Sequence, residues 1–191
     1  MTSITIFGNG NMGTAIDSVL AKGGADVQHI GSADNNADVR GDIVVLAVPH
    51  SALAQIAADY GEKLAGKTVV DITNPLDFAT FDALVVPAGS SATAELQQAL
   101  PAANVVKAFN TNFAATLASG TVGQAETTVL IAGDDEGAKT ALADAITAGG
   151  LRAIDAGSLK RAHELEAIGF LQLTLAAQEK VSWTAGFAVV S

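Results

Sequence analysis

Three glycines at fixed spacing are the first feature with chemical meaning. Gly8-Asn9-Gly10-Asn11-Met12-Gly13 reads G-x-G-x-x-G. It follows the β-favouring run Ile4 to Phe7 and opens a stretch with Met12, Ala15, Ile16, Val19 and Leu20 at helical spacing. Strand, tight turn and helix in that order make a diphosphate cradle. Gly8 permits the sharp turn, Gly10 lets backbone N–H groups approach phosphate oxygens, and Gly13 lets the helix lie close on the strand. The helix N-terminus adds unpaired N–H groups and a partial positive charge. A lone glycine motif is an ordinary turn. The flanking strand and helix make this one a dinucleotide site.

The residues beyond the second strand bear on which dinucleotide. An Asp or Glu about 20 residues past the motif commonly binds the 2′-hydroxyl of NAD. Here the strand ends at Ile30-Gly31-Ser32-Ala33 with no acid at its tip. A hydroxyl and backbone N–H groups there favour the 2′-phosphate of NADP. Ser32 is the first candidate ligand, with Arg40 and His29 as charge partners. Ser32 is equally readable as a turn residue, and Arg40 as a solvated loop charge. Asp34 takes the NAD role if the strand runs two residues further.

Ligands in open α/β sheets lie beyond the carboxyl ends of the strands. Pro49-His50, Thr73-Asn74-Pro75 and Phe109 to Asn112 are therefore further candidates. Asn74 and Asn110 can hydrogen-bond a carboxamide or ribose, or simply form turns. Lys107 reads either as a surface lysine at a strand terminus or as a ligand contact. His29, His50 and His163 lack metal-ligand spacing, so no metal site is expected. No G-x-S-x-G elbow, H-E-x-x-H or Walker sequence is present. No catalytic acid–base constellation stands out, which leaves the catalytic residues unassigned.

The elements that must position these residues alternate in kind. Apolar runs Ile43–Val48, Thr68–Thr73, Asn104–Ala108, Thr127–Ala132 and Leu151–Ile154 read as strands, after Ile4–Phe7 and Ala25–Ile30. Helical patterns cover 50–60, 92–100, 134–148 and 158–180. Gly31 to Asp42 is polar and predicts a loop where this kind of fold usually places a helix. Residues 76–90 and 109–123 read as irregular. The pattern predicts an α/β fold: a doubly wound, mostly parallel Rossmann-type sheet in three layers, forming one domain over 1–191.

Composition bounds the rest. The chain has 191 residues, 49% of them hydrophobic, and a formal net charge of −10. An acidic surface repels nucleic acid and anionic lipid, so neither is an expected partner. There is no cysteine, which excludes disulfides and thiolate chemistry and is compatible with a reducing cytoplasm. No apolar run reaches the roughly 18 residues of a membrane span. Within helix 158–180 the stretch from Leu165 to Ala177 is apolar nearly all round, through Leu165, Ile168, Phe170, Leu171, Leu173, Leu175 and Ala176. Together with a terminal strand over 183–190, it is expected to form a homodimer interface, the alternative being a helix buried by that strand.

The motifs together resemble a family. G-N-G-N-M-G (8–13), I-G-S (30–32), V-V-L-A-V-P (44–49), D-I-T-N-P-L (71–76), V-V-K-A-F-N-T (105–111) and D-A-G-S-L-K-R-A-H-E-L-E (155–166) are similar to those of the deazaflavin-dependent NADP reductases. Those reductases have relatives in the NADPH-binding domain of membrane metalloreductases. The resemblance implies that Asn9 to Met12 cover the pyrophosphate and that Ser32 takes the 2′-phosphate. It implies Ala47, Val48, His50 and Leu53 on the adenosine and ribose side. Asn74 and Pro75 would lie by the nicotinamide ribose, and Ala108, Phe109 and Asn110 near the nicotinamide. The expected activity is hydride transfer between NADP(H) and a flavin or deazaflavin-like acceptor. Two other readings stand beside it: a small-substrate dehydrogenase or imine reductase, and a non-catalytic NADP-binding sensor.

Overall fold

The computed structural model describes residues 2–34 and 36–190. Met1 and Ser191, at the ends of the expected domain, and Asn35, in the 31–42 loop, lie outside the described residues. In chain order the elements are β1 (Ser3–Phe7), α1 (Asn11–Lys22), β2 (Asp26–Ile30), β3 (Ile43–Leu46), α2 (Leu53–Leu64), β4 (Thr68–Asp71), α3 (Ala92–Ala99), β5 (Asn104–Lys107), α4 (Ala114–Ser119), β6 (Thr121–Val122), β7 (Ala125–Glu126), β8 (Thr128–Gly133), α5 (Glu136–Ala148), β9 (Arg152–Gly157) and α6 (Ala162–Ala177). A 3₁₀ turn precedes α2 at His50–Ala52, and another precedes α6 at Leu159–Arg161.

Seven strands form one sheet in the order β2-β1-β3-β4-β5-β8-β9. The chain reverses direction across the sheet between β1 and β3, which opens a crevice at their carboxyl ends. β3, β4 and most of β5 are buried Val/Ile-rich runs, as strands covered on both faces must be. One face packs α1 and α5 on Ile4, Ile6, Val45 and Val70. The other packs α2 and α3 on Phe7, Val44, Leu46 and Val69. Two helix starts are capped by side chains: Ser91 Oγ accepts the Ala94 N–H at 3.0 Å, and Asp135 Oδ1 accepts the Ala138 N–H at 2.7 Å.

The sheet is mostly parallel as expected, with one antiparallel junction, and one expectation changes. β8 runs antiparallel to β5, with Lys107 opposite Ala132, and β9 follows β8 in parallel. The link from β5 to β8 holds only α4 and the β6–β7 hairpin. A six-residue helix spans about 9 Å, too little to carry the chain back down the sheet, so it re-enters from the end it left. Residues 183–190 form no strand among the described residues but a turn at 183–184 followed by an irregular tail. Its Phe187 N–H is held by Gln172 Oε1 at 3.0 Å.

Candidate functional site

The β1–α1 turn has the shape its glycines predict. Gly8 sits at φ +103°, and a Cβ there would lie 2.2 Å from the Ala47 carbonyl oxygen. A Cβ on Gly13 would meet the Gly8 carbonyl oxygen at 2.6 Å, while one on Gly10 would meet nothing described within 4 Å. α1 begins without a side-chain cap and without an acid in its first turn. Its first N–H groups and the space above Gly10 are thus available to an anion.

Two cavities open from this turn. One, of about 290 Å³, lies on the β2 side and includes Gly8, Gly31, Ser32, Asp34, Val48 and Tyr60 in its lining. The other, of about 470 Å³, has Asn11 and Met12 of α1 on one side and Asn74, Phe109 and Asn110 on another. Its outer wall is Phe113, Leu173 and Trp183, with the Trp183 ring centroid 5.1 Å from that of Phe113. Phe109 is fully buried at φ +62°, a left-handed conformation uncommon for a bulky residue. It turns the chain so that Asn110 follows directly into the cavity wall.

Asn74 and Asn110 hold each other. Asn110 Nδ2 donates to Asn74 Oδ1 at 2.9 Å and to the Leu165 carbonyl at 2.8 Å. Asn74 Nδ2 donates to the Asn110 carbonyl at 2.8 Å. Both N–H groups of Asn110 Nδ2 are thus used, which fixes the amide orientation and leaves the buried Asn110 Oδ1 without a partner among the described residues. Asn112 is in the same position: Nδ2 donates to the Thr128 carbonyl at 3.0 Å, and Oδ1 has no partner among the described residues. Gly169 of α6 lies against the pair, where a Cβ would stand 2.1 Å from Asn74 Oδ1.

Beneath Asn74 is a buried ionic cluster. Lys107 Nζ lies 2.8 Å from Asp71 Oδ2 and 2.9 Å from Glu166 Oε1, and it donates to the Thr73 carbonyl at 2.7 Å. Asp71 also accepts the Thr73 N–H and the Thr93 hydroxyl, each at 2.8 Å. Glu166 Oε2 accepts the Ala92 N–H at the start of α3. Burial pushes the Asp71 carboxyl up. The Lys107 charge and hydrogen bonds from Lys107, Thr73 and Thr93 outweigh it and hold the group below the usual carboxylate range. Thr73 is thereby gripped at both its N–H and its carbonyl, which sets the direction of Asn74.

The expected site residues fall into three groups. Gly8, Gly31, Ser32 and Val48 meet at the smaller cavity, and Asn11, Met12, Asn74, Phe109 and Asn110 at the larger. His50 and Leu53 line a separate cleft with Ala92 and Leu96, between α2 and α3. Arg40 is brought to neither cavity. Its N–H binds the Gln28 side chain halfway along β2, well short of Ser32. His29 pairs with Asp17 at 3.3 Å, and His163 Nδ1 lies 2.9 Å from the Ser90 carbonyl. Among the described residues no group of His, Cys, Asp or Glu has metal-binding geometry.

Lys107 is neither a surface lysine nor a cavity residue but a fully buried one. The signal for it was present: Val69-Val70-Asp71 and Val105-Val106-Lys107 are apolar strands, each ending in one charge of opposite sign. Their register pairs Asp71 with Lys107. Asn112 closes the 109–112 stretch the sequence singled out, whereas Phe113 and Trp183 lie outside it, and only the folded chain brings them to the cavity.

Known proteins bear on this arrangement. No family model matches the chain. It is 32% identical over 154 residues to the F420-dependent NADP reductase of Methanocaldococcus jannaschii, covering 78% of this chain and 69% of that one. It is 35% identical over 127 residues to metalloreductase STEAP3 of Rattus norvegicus, covering 66% of this chain but 24% of that protein. Its fold superposes at a TM-score of 0.84 on a crystal structure provisionally named an F420-dependent NADP reductase, from Arthrobacter sp. FB24. That match has 25% identity and covers 100% of both chains. With its glycine turn, its paired asparagines and this shared length, the chain belongs to the F420-dependent NADP reductase family.

Proposed function

We infer that this chain is an NADP-dependent oxidoreductase that passes hydride between NADP(H) and a deazaflavin of the F420 type. In a chain of this family, the carrying observation is one cavity shared by the start of α1 and the Asn74–Asn110 pair. The residues present fit a dinucleotide. Gly10 leaves room for a diphosphate beside uncapped N–H groups, and the Asn74–Asn110 pair lines the same cavity at the side where the nicotinamide would lie.

When bound, NADPH supplies a hydride that the deazaflavin ring accepts. The chain's part is binding and orientation. The α1 N-terminus and the glycine turn would hold the diphosphate. Asn110, locked by Asn74 and the Leu165 carbonyl, would fix the nicotinamide end. Met12, Ile72, Phe113, Leu173 and Trp183 form apolar walls that exclude water and accept flat rings. No side-chain acid or base is required for transfer between two rings.

The test is anaerobic mixing of the purified protein with NADPH and F420, or with FMN in its place, following ring absorbance. F420 reduction is expected. NADPH binding with no transfer to either ring would overturn the catalytic reading.

A homodimer and a cytoplasmic location belong to the same proposal. Leu171 of α6 and Val190 of the tail are exposed at 52% and 83%, which supports a second copy as their cover. Light scattering of the wild type against Leu171→Glu tests the dimer. No helix among the described residues is long and apolar enough to cross a membrane, and cell fractionation tests the location.

A further inference from the structure

The turn after β2 puts a carboxylate where a 2′-phosphate would bind. β2 ends at Ile30, and the chain folds back over 31–34. Asp34 Oδ2 accepts the Gly31 N–H at 2.8 Å, and the Asp34 N–H returns to the Gly31 carbonyl at 3.1 Å. The turn is anchored to the core. The Tyr60 hydroxyl donates to the Asp34 carbonyl at 2.9 Å, and the buried Tyr60 ring packs edge-on against Phe7.

The charge around this turn is negative. The described residues lining its cavity include two carboxylates, Asp34 and Asp59, and no lysine or arginine. Lys63 of α2 gives its ammonium to the Asn36 and Ala37 carbonyls, and the Arg40 N–H is bound beside the middle of β2, at Gln28. A dianionic 2′-phosphate needs free N–H donors and profits from a cation. A 2′-hydroxyl needs a carboxylate acceptor. The cavity offers the acceptor and has already used the Gly31 donor.

We propose that Asp34 sets the nucleotide preference of this site. By occupying the Gly31 N–H and facing the ribose with a carboxylate, it keeps the site open to NADH as well as NADPH. This rests on the dinucleotide reading of the glycine turn and adds to it a residue that decides between 2′-hydroxyl and 2′-phosphate.

The test is calorimetric titration of the full chain with NADPH and with NADH, which reads binding apart from turnover. Wild-type dissociation constants are expected within about tenfold of each other. Asp34→Ser frees the N–H and removes the charge. It is expected to tighten NADPH by about tenfold or more and to weaken NADH, moving the ratio at least about 30-fold. Asp34→Asn keeps an acceptor without the charge and should move the ratio the same way by less, so a misfolded serine variant does not end the test. A wild-type preference for NADPH beyond about a hundredfold, or a ratio unmoved by both substitutions, would overturn the role of Asp34. Failure of the wild type to bind either nucleotide would overturn the dinucleotide reading itself, and the proposal with it.

Discussion

Lys107→Met is the sharpest probe of how this site is held. The substitution nearly preserves side-chain length and removes the cation that, alone among the described residues, pairs with two buried carboxylates. Asp71 is 0% exposed and Glu166 1%, at 2.8 and 2.9 Å from the ammonium. At an effective dielectric of 20 each contact is a gross attraction of about 6 kcal/mol. Most of that is offset by taking the charges out of water. Removing one partner of a buried pair, which leaves the other uncompensated, costs about 3–5 kcal/mol. Native domains have about 5–15 kcal/mol in total, so the variant should still fold but melt well below the wild type, by about 10 °C or more for a chain of this size. The assay is urea and thermal unfolding without nucleotide at neutral pH. The pH dependence separates this account from a packing defect. In the wild type the Asp71 carboxyl is held below the usual carboxylate range despite its burial, by Lys107 and the hydrogen bonds around it. Its contribution is therefore fully present above the unfolded carboxyl value and is lost as pH falls through the lower folded one. In the variant the Lys107 charge and hydrogen bond are gone, and burial, the largest influence on the group, is opposed only by the hydrogen bonds from Thr73 and Thr93, so the group rises. Its penalty then disappears as pH falls below the unfolded value. The difference between the two proteins should shrink markedly from pH 7 to pH 4. A loss below about 1 kcal/mol at pH 7, or a loss independent of pH, would refute the reasoning.

Other substitutions test the two cavities. Gly8→Ala forces a side chain into φ +103° and against the Ala47 carbonyl; a loss of about 3 kcal/mol or more and of measurable NADPH binding is expected by denaturation and calorimetry. Gly169→Ala drives a methyl into Asn74 Oδ1 and toward Asn110 Nδ2. It should lower stability by about 1–3 kcal/mol and reduce kcat more than NADPH affinity, since it disturbs the nicotinamide end alone. Trp183 is the single tryptophan and lines the larger cavity, so NADPH should quench intrinsic emission. Trp183→Phe should abolish that signal while binding, read by calorimetry, persists.

What the sequence determined by itself was local or periodic. The glycine turn could be read from spacing because a bend of that tightness excludes side chains at fixed positions, and the Gly8 and Gly13 contacts bear this out. The buried Val/Ile runs announced β3, β4 and β5, and the helices α1, α2 and α5 followed from apolar residues repeating every third or fourth place. The lack of a helix among the described residues after β2 was legible in the polar run from Gly31 to Asp42.

Only the tertiary structure decided which groups meet. Arg40 and Asp34 lie six residues apart, yet the fold binds the Arg40 N–H beside the middle of β2, at Gln28, and turns the carboxylate onto Gly31. α6 buries Glu166 and Gln172 and leaves Leu171 outside, against its apolar composition. Glu166 finds Lys107 and the start of α3, 73 residues away at Thr93, and Gln172 binds the Thr111 carbonyl and the tail. Side-chain periodicity reports the direction a residue faces, not what stands opposite. A buried charge is tolerable only where distant strands and helices deliver its partners, and that depends on topology rather than on any local run of residues.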